Sequence, residues 1–131
     1  MIESVSKMFS ESKLNPNEIS FEKSFPFEKR IEEANKVLEK YPDRIPIIVE
    51  PGTKSVKNIS RKKYLVPYDL SVGQFMHVIR QRIDLDPSEA IYLFCNGKLA
   101  PTSKLLIELY EMEGNDDKFL YFQYCNESTF G

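Results

Sequence analysis

A chain of 131 residues with 41% hydrophobic and 12% aromatic content can build one compact core and hardly two. Its formal charge of −2 gives no global attraction for nucleic acid or for an anionic membrane surface. Cys95 and Cys125 are too few for a disulfide framework, and no apolar run approaches the ~18 to 20 residues of a membrane span, so a reducing, cytosolic setting is expected.

Residues 1–20 are rich in Ser, Glu, Asn and Lys, with Ile2, Val5, Met8 and Phe9 too sparse for a core. They read as a mobile arm, leaving 21–131 as the folded unit with a helical N-terminal part. Residue 2 is Ile, which excludes the glycine that myristoylation requires. Beyond Phe25-Pro26, Phe27, Ile31, Ala34, Leu38 and Tyr41 recur every three or four residues and predict an amphipathic helix. At about 100° per residue Glu33 and Val37 fall together on one flank of that stripe. Pro42 ends the helix. A strand follows over Ile45 to Val49, with Ile45, Ile47 and Val49 on one face and Pro46 and Ile48 on the other.

After the polar connection begun by Pro51-Gly52-Thr53, Lys63 to Pro67 predicts a second strand. Lys63 and Leu65 share one of its faces, Tyr64 and Val66 the other. The run Arg61-Lys62-Lys63 marks it as an exposed edge kept apart by charge rather than as a nucleic-acid patch. Ser71 to Gln74 has the spacing of a capping box, and Val72, Phe75, Met76, Ile79 and Ile83 continue as one helical stripe, with Val78 spilling around its flank. Ala90 to Cys95 reads as a strand, and Asn96-Gly97 predicts a tight hairpin into Lys98-Leu99. Leu105, Leu106, Leu109 and Tyr110 predict a short helix that Gly114 closes, and Phe119 to Tyr124 a final aromatic strand. This order predicts an α+β fold, the ubiquitin-like β-grasp with a mixed four-stranded sheet and additional N-terminal helix or helices.

Chemistry-bearing clusters are scarce. Cys95 or Cys125 with His77 is a poor candidate for nucleophile and base, because a lone His on an amphipathic helix is more often structural. No metal-ligand spacing or phosphate loop stands in the sequence, and Asp116-Asp117 reads as solvated turn charge. No catalytic residue, metal site or cofactor is expected. The terminal Gly131 is the exception that invites a role, since a glycine without Cβ can enter a narrow channel where its carboxylate is activated.

Five strings carry a resemblance: Pro26 to Arg30, Tyr41 to Pro46, Lys62 to Pro67, Val72 to Phe75, and Phe119 to Tyr121, with the ending Thr129-Phe130-Gly131. In order and register from about Phe25 to Gly131, they resemble the GABARAP-type autophagy ubiquitin-like modifiers. The loop from Pro51 to Ser60 is about one residue shorter than in that pattern, and the arm to roughly Pro16 extends beyond its usual start. The resemblance implies a cytoplasmic modifier, itself no enzyme, conjugated through Gly131 to phosphatidylethanolamine and held afterwards on autophagosomal membranes. Implied partners are a processing cysteine protease, activating and conjugating enzymes, and cargo receptors and adaptors, with no nucleic acid among them.

The same resemblance implies binding of short motifs of the form aromatic-x-x-aliphatic. Glu33, Val37, Pro46, Ile48, Lys63, Leu65 and Phe119 match the aromatic pocket. Tyr64, Val66, Pro67, Leu70, Phe75, Val78 and Ile79 match the aliphatic one, and Arg44, Arg61 and Arg82, with Lys63, match positions that meet flanking acids. The competing expectation is a β-grasp adaptor that binds motifs and is never conjugated.

Overall fold

The computed structural model describes residues 20–53 and 56–126. The predicted mobile arm (except Ser20) and the terminal Gly131 therefore lie outside the described residues. Among the described residues four helices and five strands follow in chain order: α1 (Phe21–Ser24), α2 (Phe27–Lys40), β1 (Arg44–Pro51), β2 (Lys63–Pro67), α3 (Val72–Arg82), β3 (Tyr92–Cys95), β4 (Lys98–Leu99), α4 (Leu106–Glu113) and β5 (Leu120–Cys125). The strands form one mixed sheet ordered β2-β1-β5-β3-β4. β1 runs antiparallel to β2 and parallel to β5, while β3 runs antiparallel to both β5 and β4. The predicted β-grasp is present, with the two-residue β4 as a fifth strand beside the four longer ones.

Alternation along the central strands separates two cores, because successive side chains in a strand point to opposite faces. Ile45, Ile47 and Val49 of β1, Tyr64 and Val66 of β2, and Leu120, Phe122 and Tyr124 of β5 pack with Val72, Phe75 and Ile79 of α3. Ile48, Leu65, Phe119 and Tyr121 face the other way, against Phe21, Ala34 and Val37 of the N-terminal helices. Both faces of β1 and β2 are thus covered, as their doubly apolar sequence requires.

The capping box at α3 forms as its sequence dictates. The Ser71 side chain accepts from the Gln74 N–H at 3.1 Å, and Gln74 Oε1 accepts from the Ser71 N–H at 2.9 Å. At the β3–β4 hairpin Asn96 and Gly97 take φ of 52° and 77°, the paired positive values that an Asn-Gly turn supplies with little strain. Glu113 of α4 ties that turn down by accepting from Asn96 Nδ2 and Lys98 Nζ at 2.8 and 3.0 Å, and these bonds hold its carboxyl below the usual range. Gly114 closes α4 as read, its N–H donating to the Tyr110 carbonyl at 2.9 Å. Its φ is −63°, but a Cβ there would sit 2.5 Å from the Tyr110 carbonyl oxygen.

The periodic helix read beyond Phe25-Pro26 is preceded by a separate short one, α1, which the Ser20 side chain caps by accepting from the Lys23 N–H at 3.2 Å. Two sequence expectations need correction. In α2 the buried line is Ala34 and Val37, with Arg30 and Tyr41 half-buried on the same face, whereas Phe27 is 42% exposed. The small Ala34 lets the helix approach the sheet, and the rotation turns Arg30 inward, its guanidinium 5.8 Å from the Phe27 ring. Arg30 does so to reach Asp117. That carboxylate is 2% exposed, accepts from Arg30 Nε at 2.8 Å, from the Phe119 N–H at 3.0 Å and from the Tyr121 hydroxyl at 2.5 Å. Asp117 is a buried hub, not solvated turn charge; Asp116 beside it is exposed.

Candidate peptide-binding edge and its two flanking clusters

β2 is the outermost strand on its side of the sheet, pairing through Pro67 to Lys63 with Arg44 to Ile48 of β1. Its other side is a sheet edge, the place where an extended backbone can be added. Because the strand alternates, this edge stands between two side-chain clusters, one on each face.

On the helical N-terminal face the fold brings together Glu33, Val37, Pro46, Ile48, Lys63, Leu65 and Phe119, but not as an open pocket. Ile48, Leu65 and Phe119 have 0% exposure and Val37 6%, and Pro46 is buried as well. Phe21 closes the cluster: its ring meets Phe119 edge-on at 5.2 Å and Phe25 at 5.2 Å. Lys63 lies across the top, its Nζ 3.1 Å from Glu33 Oε2 and 5.4 Å from the Phe21 ring centroid. The flank expected for Val37 is thus the centre of the contact, and Glu33 alone of the α2 pair stands at the rim.

On the opposite face Tyr64, Val66, Phe75 and Ile79 are fully buried, while Pro67, Leu70 and Val78 remain partly exposed around them. The Tyr64 ring packs edge-on against Phe75 at 5.4 Å. Its hydroxyl is buried without a hydrogen-bond partner, and this desolvation pushes the phenol upward against the opposing pull of Arg82 and Arg61. The accessible part of this cluster is the small apolar shelf of Pro67, Leu70 and Val78.

The three arginines do not form one patch. Arg44 pairs in register with Pro67 at one end of β2, its guanidinium 5.5 Å from the Tyr41 ring. Arg61 precedes the other end, and Arg82 joins it there through its carbonyl, which accepts from the Ser60 N–H at 3.4 Å. Lys62 points back into the fold to Glu50 at 2.9 Å. Positive charge therefore flanks both ends of the edge, which suits an acidic segment on either side of an extended ligand.

Phe21 was missed by sequence reasoning, because a four-residue helix is too short to show a period. The available signal was Ser20 as a capping residue type directly before a large aromatic. Cys95 and Cys125 are both buried, and burial pushes the Cys95 thiol up to about 12, so it is protonated at neutral pH. Among the described residues no group of His, Cys, Asp and Glu could hold a metal ion, and no helix is long and apolar enough to cross a membrane.

The family model described as autophagy protein Atg8, ubiquitin like, matches residues 29–131. Autophagy-related protein 8d of Arabidopsis thaliana is 52% identical over 113 residues, 86% of this chain and 94% of the relative. Autophagy-related protein 8 of Schizosaccharomyces pombe is 51% identical over 85% of this chain and 93% of its own length. Among solved structures, Plasmodium falciparum Atg8 in complex with a Plasmodium falciparum Atg3 peptide superposes with a TM-score of 0.78 at 35% identity, covering 84% of this chain and 98% of that one. Trypanosoma brucei ATG8 superposes at 0.77 with 37% identity, covering 93% and 100%. With matches this extensive in both sequence and fold, the chain belongs to the Atg8 family of ubiquitin-like autophagy proteins.

Proposed function

We propose that this chain is a conjugated modifier that recruits peptide motifs: its terminal Gly131 is activated and joined to phosphatidylethanolamine, and its β2 edge binds aromatic-x-x-aliphatic segments of cargo receptors and adaptors. The observation that carries the motif reading is the edge strand itself, with apolar clusters on both faces and arginines at both ends. A bound segment would continue the sheet through main-chain hydrogen bonds while one side chain enters each cluster. Two anchors at about 1.5–3 kcal/mol each, with those hydrogen bonds and less the cost of association, give affinity of micromolar order.

The conjugation reading is supported by family membership and by the Plasmodium falciparum relative, which was solved with a peptide of Atg3. In it a cysteine protease exposes Gly131, an activating enzyme converts the carboxylate into an acyl donor, and a conjugating enzyme delivers it to the lipid amine. One lipid chain holds a protein on a bilayer only marginally, and the two of phosphatidylethanolamine supply the second anchor, moving a cytoplasmic protein onto autophagosomal membranes.

Wild type and Gly131→Ala are to be incubated with activating and conjugating enzymes, ATP and phosphatidylethanolamine liposomes. Lipidation is expected for wild type and strongly reduced for the variant. Equal lipidation, or none for either, sinks the modifier reading and leaves a peptide-binding adaptor. For the motif reading, Leu65 and Phe119 are poor probes, since both are core and their truncation disturbs folding. Val78→Ala and Leu70→Ala remove partly exposed atoms instead. Each should weaken an acidic aromatic-x-x-aliphatic peptide several-fold by calorimetry with little change in melting temperature; unchanged affinity in both rejects the aliphatic subsite.

A further inference from the structure

Most of the residues assigned to the aromatic subsite share a buried cluster or a ring contact with an aromatic side chain from the same chain. Phe21 is 2% exposed and shares its cluster with Val37, Ile48, Leu65 and Phe119. Lys63, at the rim of the subsite, holds its ammonium 5.4 Å from the Phe21 ring centroid. An aromatic ring under a cation within about 6 Å is the arrangement an incoming aromatic anchor would itself seek.

We infer that Phe21 is a self-ligand: it fills the aromatic subsite in cis, and an aromatic anchor of a motif enters by displacing it together with α1. This rests on the motif-binding reading and adds to it a gate. Three contacts hold the gate shut. The Phe21 N–H donates to Glu50 Oε2 at 2.8 Å, and that carboxylate is itself fixed by Lys62. Arg30 clamps the far side of the helix through the carbonyls of Glu22 and Phe25, at 2.8 and 2.5 Å. The latch is also easy to lift as a unit, since α1 has four residues and Pro26 separates it from α2. A four-residue helix has little stability apart from its packing.

Competition of this kind lowers apparent affinity by the fraction of molecules in the open state. In calorimetry with an acidic peptide carrying Trp at the aromatic position, Phe21→Ala should bind about tenfold more tightly than wild type. Equal or weaker binding by a folded Phe21→Ala, with wild type still binding, overturns the gate and leaves the motif reading in place. Absence of binding to either protein removes both. A second measurement needs no variant that must fold: amide exchange at Phe21, Ser24 and Phe25 in the wild-type chain, followed by NMR as peptide is added. The N–H groups of these residues bond to Glu50, Ser20 and Phe21 in the closed form, so exchange should quicken at least tenfold at saturation while Lys63 to Val66 slow. Unchanged or slowed exchange at the three positions overturns the proposal.

Discussion

At the scale of single residues, the decisive group is Asp117, whose meaning changes from turn charge to the tie between α2 and β5. A carboxylate at 2% exposure is tolerable only because a guanidinium, a hydroxyl and a backbone N–H all donate to it. Asp117→Ala leaves Arg30 Nε and the Tyr121 hydroxyl without their acceptor, and should cost about 3–5 kcal/mol in urea unfolding, the usual loss when one member of a buried pair is removed. Asp116→Ala next to it should stay within about 0.5 kcal/mol, as an exposed substitution does. Sequence could not separate these neighbours. Both are acidic and both lie in the same turn, and the difference comes from Arg30, 87 positions away in the chain.

At the scale of elements, what was legible is what local chemistry decides. The capping box of α3 and the Asn-Gly hairpin are set by side chains within four residues of one another, and both form as read. Ser71→Ala should therefore destabilise the fold by about 1 kcal/mol in thermal or urea unfolding. Gly97→Ala should cost about 1–2 kcal/mol, since its φ of 77° places a Cβ against the backbone even though the space around it is open. The face of α2 was less legible for a physical reason. Its composition offers apolar residues on more than one side, and the inward side is chosen by the small Ala34 and by the reach of Arg30, neither of which periodicity weighs. That β1 and β2 are apolar on both faces was readable from alternation alone. That the aromatic cluster is closed was not, because Phe21 reaches it from outside any periodic segment.

At the scale of the whole molecule, burial of phenols and a thiol links stability to alkaline pH. Burial pushes the pKa of Tyr64, Tyr121 and Tyr124 upward, and that of Cys95 to about 12. In the unfolded chain these groups ionise near their ordinary values, about 10 for Tyr and 8.5 for Cys. Above those values the folded state holds more protons than the unfolded one, so stability is fully present below about pH 8.5 and declines as pH rises. Urea midpoints measured between pH 7 and 11 should fall at the alkaline end, and absorbance near 295 nm should show the buried tyrosines ionising only with unfolding. A flat midpoint across that range contradicts the burial of these phenols.

The parallel pairing of β1 with β5 places the last strand at the middle of the sheet rather than at its rim. For a protein tethered beyond β5 and towed by a cargo on β2, tension runs along β5, across to β1, and across again to β2. In that geometry force acts along the strands and perpendicular to their cross-strand hydrogen bonds. Both ladders are loaded in shear, so many bonds must fail together instead of unzipping one at a time. With a tether beyond β5 and a cargo on β2, the order β2-β1-β5 would act as a mechanical splice between them.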